Sequence, residues 1–410
     1  MTRMTTIDER VHALIRHAYD RAPAVRARFD AIGLTPDDVQ GVADLDRVPV
    51  MPKDEVAALQ RANPPFGGLL AAPPEALRHI FMSPGPIYEP DAGDDTTTVE
   101  MATLAMRQSG LRAGDVVLNC LSYHMVPAGL LVDRALLALG CIAVPGGVGN
   151  TDLQLQMMQD LRVTGYVGTP SFLLSLFRRA EERGLNWRHD FRLRVAFLTA
   201  EPLPASLRQT LVEGYGLAVG NAYGTAELGF LALNTAGGLM MQLLPLPVVQ
   251  VVAPDTGQSV GPGEAGEVVV TNLDPAYPLI RLGTGDLAVN VDPSPGLSCQ
   301  QDRSIILVGR SGEAVKVRGM FVHPNQLRFA AAQVAPGAAV QGIVNRVDQQ
   351  DTFELRVALA EAAAGSEALA AALQEAVRQA CRVRVDRVAF VAGDAIPDGA
   401  SGLLDQRTWD

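Results

Sequence analysis

Between Arg281 and Gly319 the chain gathers side chains suited to hold a ribose and its phosphate. Arg281-Leu282-Gly283-Thr284-Gly285-Asp286-Leu287 reads as a tight turn with a carboxylate at its tip, and Val308-Gly309-Arg310 supplies a guanidinium downstream. A carboxylate accepts hydrogen bonds from paired hydroxyls, and arginine offers a planar fork of donors to phosphate or carboxylate oxygens. Gly-Asp turns are common, so the same residues also read as plain turn chemistry. His124, in Leu121-Ser122-Tyr123-His124-Met125, is of a type that orients a carboxylate or acts as a base, and equally of a type that lines a pocket without chemistry.

Such groups need strand ends and turns to hold them, and the pattern supplies both. From about residue 98, short apolar runs alternate with amphipathic stretches. The pattern predicts helix 98–110, strand 116–120, helix 127–139, strand 141–144, helix 151–162, strand 165–168, helix 171–183, strand 194–198 and helix 204–215. That alternation predicts a parallel sheet covered on both faces, with a ligand beyond the carboxyl ends of its strands. Upstream, residues 5–33 read as helix, and Thr35-Pro36-Asp37-Asp38 as a second helix start. Residues 247–292 are β-rich with Gly and Pro punctuation, and the region past Arg310 predicts strands 338–345, 353–360 and 385–392 around helix 365–381. The Ala-rich stretch 361–372 is helix composition.

At 410 residues the chain exceeds the usual single core, so two domains are expected, 1–310 and 311–410. Hydrophobic residues make up 48% and charged residues 19%, which describes a soluble globular protein rather than a disordered one. A formal charge of −11 argues against nucleic acid and acidic membranes as partners, since both are met with clustered basic charge. Cys120, Cys141, Cys299 and Cys381 are far apart and form no Cys-x-x-Cys pair, so neither zinc nor a disulfide framework is expected. With no signal peptide or long apolar run, the expectation is a cytoplasmic protein.

The motifs, taken in order, resemble the phenylacetate–CoA ligase branch of the adenylate-forming (acyl-CoA synthetase) superfamily. Pro49-Val50-Met51-Pro52-Lys53-Asp54-Glu55 with Pro64-Pro65-Phe66-Gly67 resembles that branch's opening segment, and Val144-Pro145-Gly146-Gly147-Val148-Gly149-Asn150-Thr151 its Gly-Gly-Asn-Thr turn. Thr199-Ala200-Glu201-Pro202 is similar to the adenine-side Gly-Ala-Glu-Pro, and Ala222-Tyr223-Gly224-Thr225-Ala226-Glu227 to the Tyr-Gly-x-Ser/Thr-Glu motif. The 281–319 region and Ile396-Pro397 close the series. The resemblance implies an α/β fold: a large N-terminal domain of mostly parallel sheet flanked by helices with a β-rich subdomain, and a small C-terminal α+β domain on a hinge. It implies that Glu201, Tyr223, Gly224, Thr225, Asp286 and Arg310 bind the nucleotide and that Glu227 is a magnesium ligand. It places Tyr123, His124 and Gly147 in the acyl pocket and Gly312 at the hinge, and brings Lys316, in a post-hinge turn, to the site for thioester formation. ATP or AMP, CoA, Mg²⁺ and an aryl or short aliphatic carboxylic acid are the implied ligands. A homodimer is left open.

Departures from the family are selective. Where relatives carry a phosphate-gripping Ser-Ser-Gly-Thr-Thr-Gly-Lys-Pro loop, this chain has Ser83-Pro84-Gly85-Pro86-Ile87-Tyr88-Glu89-Pro90. Pro84 and Pro86 each remove an N–H, Glu89 reverses the charge, and Tyr88 is expected to fill the vacated phosphate space. Leu403 stands where the family's C-terminal lysine is expected, and the chain's two lysines are Lys53 and Lys316. His79 and His323 read as structural. The leading expectation is a carboxylate–CoA ligase working through an acyl-adenylate. The alternatives are a non-adenylating relative that uses the adenosine cleft for CoA or a preformed adenylate, and a non-catalytic ligand-binding protein.

Overall fold

A computed structural model describes residues 6–83, 86–93, 96–318, 320–347, 350–359, 365–397 and 400–407. The chain divides into two compact units. One runs to Val249 and adds Val269–Thr284 and Leu297–Ile305; the other comprises Gln250–Val268, Gly285–Gly296 and the chain from Ile306 onward.

The first unit is organised by five parallel strands in the order Ile142–Pro145, Val116–Asn119, Gly165–Gly168, Val195–Leu198, Ala218–Thr225. Gly229–Asn234 and Met241–Leu243 extend this sheet antiparallel. Central strands such as Val195–Leu198 are apolar at every position because both faces are covered. Val117, Val167, Val195 and Phe197 join one core cluster with the helices Thr96–Gln108 and Ala128–Leu139. Their neighbours Leu118, Tyr166, Ala196 and Leu198 join another with the helices Thr151–Asp160 and Pro170–Glu182. Period-two alternation of side chains thus sends successive residues into opposite cores.

Val116–Asn119 lies between Ile142–Pro145, which follows it in the chain, and Gly165–Gly168, which comes later. The chain leaves these neighbours towards opposite faces, so the switch point where doubly wound sheets bind ligands falls at the end of Val116–Asn119. The segments holding Tyr123, His124 and Gly147 leave from these strand ends.

In the second unit, Ala339–Val347 pairs antiparallel with Gln350–Leu359, which pairs parallel with Arg387–Ala392, while Leu403–Asp405 adds parallel to the other side. Helix Glu367–Cys381 begins at Ser366, whose hydroxyl accepts from the Leu369 N–H at 3.1 Å, and buries Leu373, Val377 and Cys381 against this sheet.

Several expectations change. The helix expected over 5–33 is two, Ile7–Arg21 and Pro23–Asp30, divided at Pro23, which starts the second and cannot continue the first. Thr35 caps a single 3₁₀ turn, Pro36–Asp38, and the helix expected over 204–215 stops at Gln209 and continues as a π turn, Thr210–Gly214. The expected Gly-Thr-Gly-Asp turn is the interior of the strand Leu282–Val291, with Gly285 at φ +74° giving the local kink. Residues 83–90 belong to a hairpin, His79–Ser83 against Ile87–Asp91, with Pro84 and Gly85 outside the described residues. Lys316 lies on the strand Val315–Val317, paired with Met320–Val322, rather than in a turn; Gly319 is outside the described residues, as are 361–364 of the Ala-rich stretch. Leu403 is 5% exposed and packs within the second unit's core.

Candidate functional site

In the first unit the motif strand Ala218–Thr225 carries Tyr223, Gly224 and Thr225. Gly224 is required there, because a Cβ would collide with the Gly229 carbonyl across the antiparallel turn. Thr225 Oγ1 is buried and has no hydrogen-bond partner. Burying an unpaired hydroxyl costs about 1–3 kcal/mol, so such a group is a donor held for a ligand or water.

Glu201 follows the strand Val195–Leu198, past Ala200 at φ +67°. Its Oε1 accepts from the Ser171 hydroxyl at 2.7 Å and its Oε2 from the Ser171 N–H at 3.1 Å. The carboxylate therefore caps the first turn of helix Pro170–Glu182, where the helix dipole favours negative charge. Its role is to fix the loop 199–202 beside the strand ends.

Glu227 was expected to hold magnesium, and the structure gives it another partner. Lys53 Nζ lies 2.9 Å from Glu227 Oε1 and 3.0 Å from Oε2, with the Glu227 side chain 4% exposed. An ammonium thus occupies both oxygens. Among the described residues no cluster of three or more His, Cys, Asp or Glu side chains is arranged for a metal. The donor set here fits a resident lysine better than a protein-held Mg²⁺, which needs oxygen ligands around it.

Glu89 is 7% exposed, and its neighbour on the hairpin, Tyr88, is 46% exposed. Tyr88 therefore points away from the interior. Burial pushes the Glu89 carboxyl up to about 7; the Ser83 hydroxyl pulls it down, Glu227 pushes it up and Lys53 pulls it down. The hairpin is anchored by Gln60, whose side-chain amide donates to Tyr88 O at 2.7 Å and accepts from Tyr88 N at 2.8 Å, and also donates to the Tyr277 hydroxyl at 3.0 Å. The pairing of Met82 with Tyr88 and Ser83 with Ile87 makes this segment a ladder, where a phosphate cradle would present free N–H groups.

At the switch point, Tyr123 is turned inward. Its hydroxyl accepts from Asn119 Nδ2 at 2.9 Å and donates to Asp133 Oδ1 at 3.0 Å, and burial followed by Asp133 raises its pKa. His124 is exposed, held by its backbone to Ser122. Gly147, at φ +62°, donates its N–H to Asn119 O at 3.0 Å and has open space where a Cβ would be. One asparagine therefore positions both strand-end loops.

In the second unit, Asp286 Oδ1 meets Arg310 Nη1 at 2.8 Å, with the arginine 66% exposed. Glu267 Oε1 accepts from the Gly285 N–H at 2.9 Å and holds the kink. Burial raises the Glu267 pKa, the Gly285 N–H lowers it and Asp286 raises it. Gly312 sits in the 3₁₀ turn Ser311–Glu313 with open space around it. His323 is buried, accepting at Nδ1 from the Asn325 N–H at 3.1 Å and facing Glu313 Oε2 with Nε2 at 3.3 Å.

Residues 96–273 match the AMP-binding enzyme family. An open conformation of 2-hydroxyisobutyryl-CoA ligase, solved with 2-HIB-AMP and CoA, superposes with a TM-score of 0.78 at 24% identity, covering 97% of this chain and 90% of that one. The fold is that of the adenylate-forming ligases. Over most of its length the chain is similar to phenylacetate-coenzyme A ligases. It is 29% identical over 395 residues to the phenylacetate-coenzyme A ligase of Aromatoleum evansii, spanning 90% of this chain and 86% of the relative. It is also 29% identical over 368 residues to that of Pseudomonas putida, spanning 86% and 80%.

Sequence reading missed the Lys53–Glu227–Glu89 grouping. The available signal was that Lys53 is one of two lysines and lies in a motif segment; nothing local tied it to a glutamate 174 positions away.

Proposed function

We propose that the protein is an acyl-CoA ligase that activates an aryl or short aliphatic carboxylic acid as its acyl-adenylate and transfers the acyl group to CoA. The observation that carries this reading is the buried, unpartnered Thr225 hydroxyl within the segment matching the AMP-binding family. In this reading Thr225 donates to a phosphate oxygen of the adenylate. His124 and Gly147 border the acyl group at the strand ends, while Tyr123 shapes the wall through Asn119 and Asp133. Lys316 and Gly312 are assigned to thioester formation and to the hinge. The substrate oxygen attacks the α-phosphorus and pyrophosphate leaves; the CoA thiolate then displaces AMP. The similarity to phenylacetate-coenzyme A ligases supports this reading.

A second reading is favoured by the hairpin at 79–91, whose paired backbone and buried Glu89 do not offer a triphosphate the N–H groups and positive charge it needs. In that reading the protein receives a preformed acyl-adenylate and carries out only the transfer to CoA. Pyrophosphate release and acyl-CoA formation, measured with ATP over a panel of acids including phenylacetate, separate the two. Acid-dependent pyrophosphate release supports the complete ligase. Acyl-CoA formed from synthetic acyl-adenylate but never from ATP supports transfer alone, and neither product in any arm overturns both.

A further inference from the structure

The doubly wound sheet ends at the strand Ile142–Pro145, which pairs on one side with Val116–Asn119 and, among the described residues, has no strand on the other. Its inward hydrogen bonds define its outward face. The Ile142 N–H donates to Asp115 O at 2.8 Å, and bonding direction alternates along a strand, so the Ala143 N–H and C=O face away from the sheet. Pro145 has no N–H to offer.

Edge strands are ordinarily guarded by charge. Here Ala135–Thr151, which runs from helix Ala128–Leu139 through the strand to the start of helix Thr151–Asp160, contains no Asp, Glu, Lys, Arg or His. Its outer side chains are apolar as well. Leu137 is 59% exposed, Ile142 57%, Val148 64% and, two residues beyond the stretch, Leu153 56%. They lie on the strand, on the helix before it, on the loop after it and on the next helix. Apolar exposure grouped in this way marks an interaction surface.

We propose that this edge is the interface of a two-fold homodimer, in which Ala143 pairs antiparallel with Ala143 of a second copy and the two sheets run on through the contact. The backbone selects a copy of the same chain, because one donor and one acceptor on the same residue are complementary to themselves about a two-fold axis. Pro145 stops the ladder after that exchanged pair, so an unrelated extended peptide gains few backbone bonds. A second copy adds its own Leu137, Ile142, Val148 and Leu153. Charge points the same way. Each copy carries a formal −11, and two acidic copies meet at least cost where the surface is uncharged.

In this register Ile142 sits opposite Val144 of the second copy on the same face of the sheet. The helix ends flank the strand and contribute toward the about 800 Å² per partner that a stable interface takes. Pairing uses the edge of both copies, so assembly closes at two. The inference holds or fails apart from the ligase reading, since no step of that chemistry enters it.

Sedimentation velocity of the full chain over a concentration series tests the assembly, and a species of twice the chain mass is expected. A monomer at every concentration up to about 100 μM, or a mass that grows past the dimer, overturns the proposal. Ile142→Lys sets two ammonium groups in the contact and is expected to weaken the dimer at least tenfold, with an unchanged far-UV circular dichroism spectrum because the position is exposed in the single chain. A dimer that neither Ile142→Lys nor Leu137→Lys weakens lies elsewhere on the surface and also sinks the idea. The register has its own check in a Cys299→Ser background, which removes the exposed thiol. Exchanged antiparallel pairs hold their Cα atoms about 5.5 Å apart, within the roughly 4.4–6.8 Å that a disulfide spans. Oxidation should therefore link Ala143→Cys chains in pairs and leave Val212→Cys, 42% exposed in the parent, unlinked. Equal linking of both variants, or none from a folded Ala143→Cys chain, counts against the two-fold pairing.

Discussion

Glu89 is a carboxyl kept neutral by its surroundings, and this has a consequence for stability. An ordinary glutamate ionises near 4.5, whereas Glu89 holds its proton to about 7. Between those values the folded chain binds the proton and the unfolded chain does not, so this group's contribution to stability falls as pH rises through the window and is level above it. The total change is about 3 kcal/mol. Glu89→Gln is expected to remove that component: its melting temperature should exceed the parent's at pH 8 and approach it near pH 4.5, a difference readable by thermal unfolding across pH. At Thr225 the expectation concerns binding. Thr225→Val keeps the shape and deletes the donor, so AMP affinity should drop roughly tenfold, as for loss of one hydrogen bond to a charged oxygen, while the melting temperature rises or holds; an unchanged AMP affinity would remove Thr225 from the site. The types of Thr225, Asp286 and Glu227 were legible in the sequence. Their partners were not, because Lys53–Glu227 is a contact made by the fold, not by the motif.

At the level of elements, the alternation of strand and helix from 96 onward was readable because central strands such as Val195–Leu198 are apolar at every position and the intervening helices carry one apolar face. The hairpin His79–Ser83 with Ile87–Asp91 was not readable, since Pro84, Pro86 and Pro90 suggest a loop. Prolines survive there because much of the hairpin's anchoring comes from elsewhere: Gln60, 5% exposed, bonds to both backbone groups of Tyr88. Gln60→Ala leaves those groups and the Tyr277 hydroxyl short of a partner, which should destabilise the chain by about 2–4 kcal/mol and raise amide exchange at Tyr88 above that of the parallel strands. The strand Leu282–Val291 was hidden by its glycines. Gly283 and Gly285 signal a turn in sequence, yet Arg281 before them is 0% exposed and donates through Nη1 to Leu45 O at 2.8 Å and Val48 O at 2.7 Å, which locks the segment into the fold.

As a whole the molecule has two compact units with separate core clusters, the larger built on a doubly wound sheet and the smaller on four strands and two helices. Unfolding through such separate cores need not be a single step. Differential scanning calorimetry is expected to give a calorimetric enthalpy above the van't Hoff value, and one symmetrical transition with equal enthalpies would show that the cores melt together. The scarcity of lysine also has a chemical meaning for a protein assigned an acyl-adenylate. Such mixed anhydrides acylate any nucleophilic amine they meet. Arginine stays protonated and does not compete, and lysine side chains in this chain number two, Lys53 and Lys316. Lys53 is clamped between both oxygens of Glu227, which holds its nitrogen in place. The ion pair thus shields one of those two amines from self-modification, leaving escaped intermediate little within the molecule to damage.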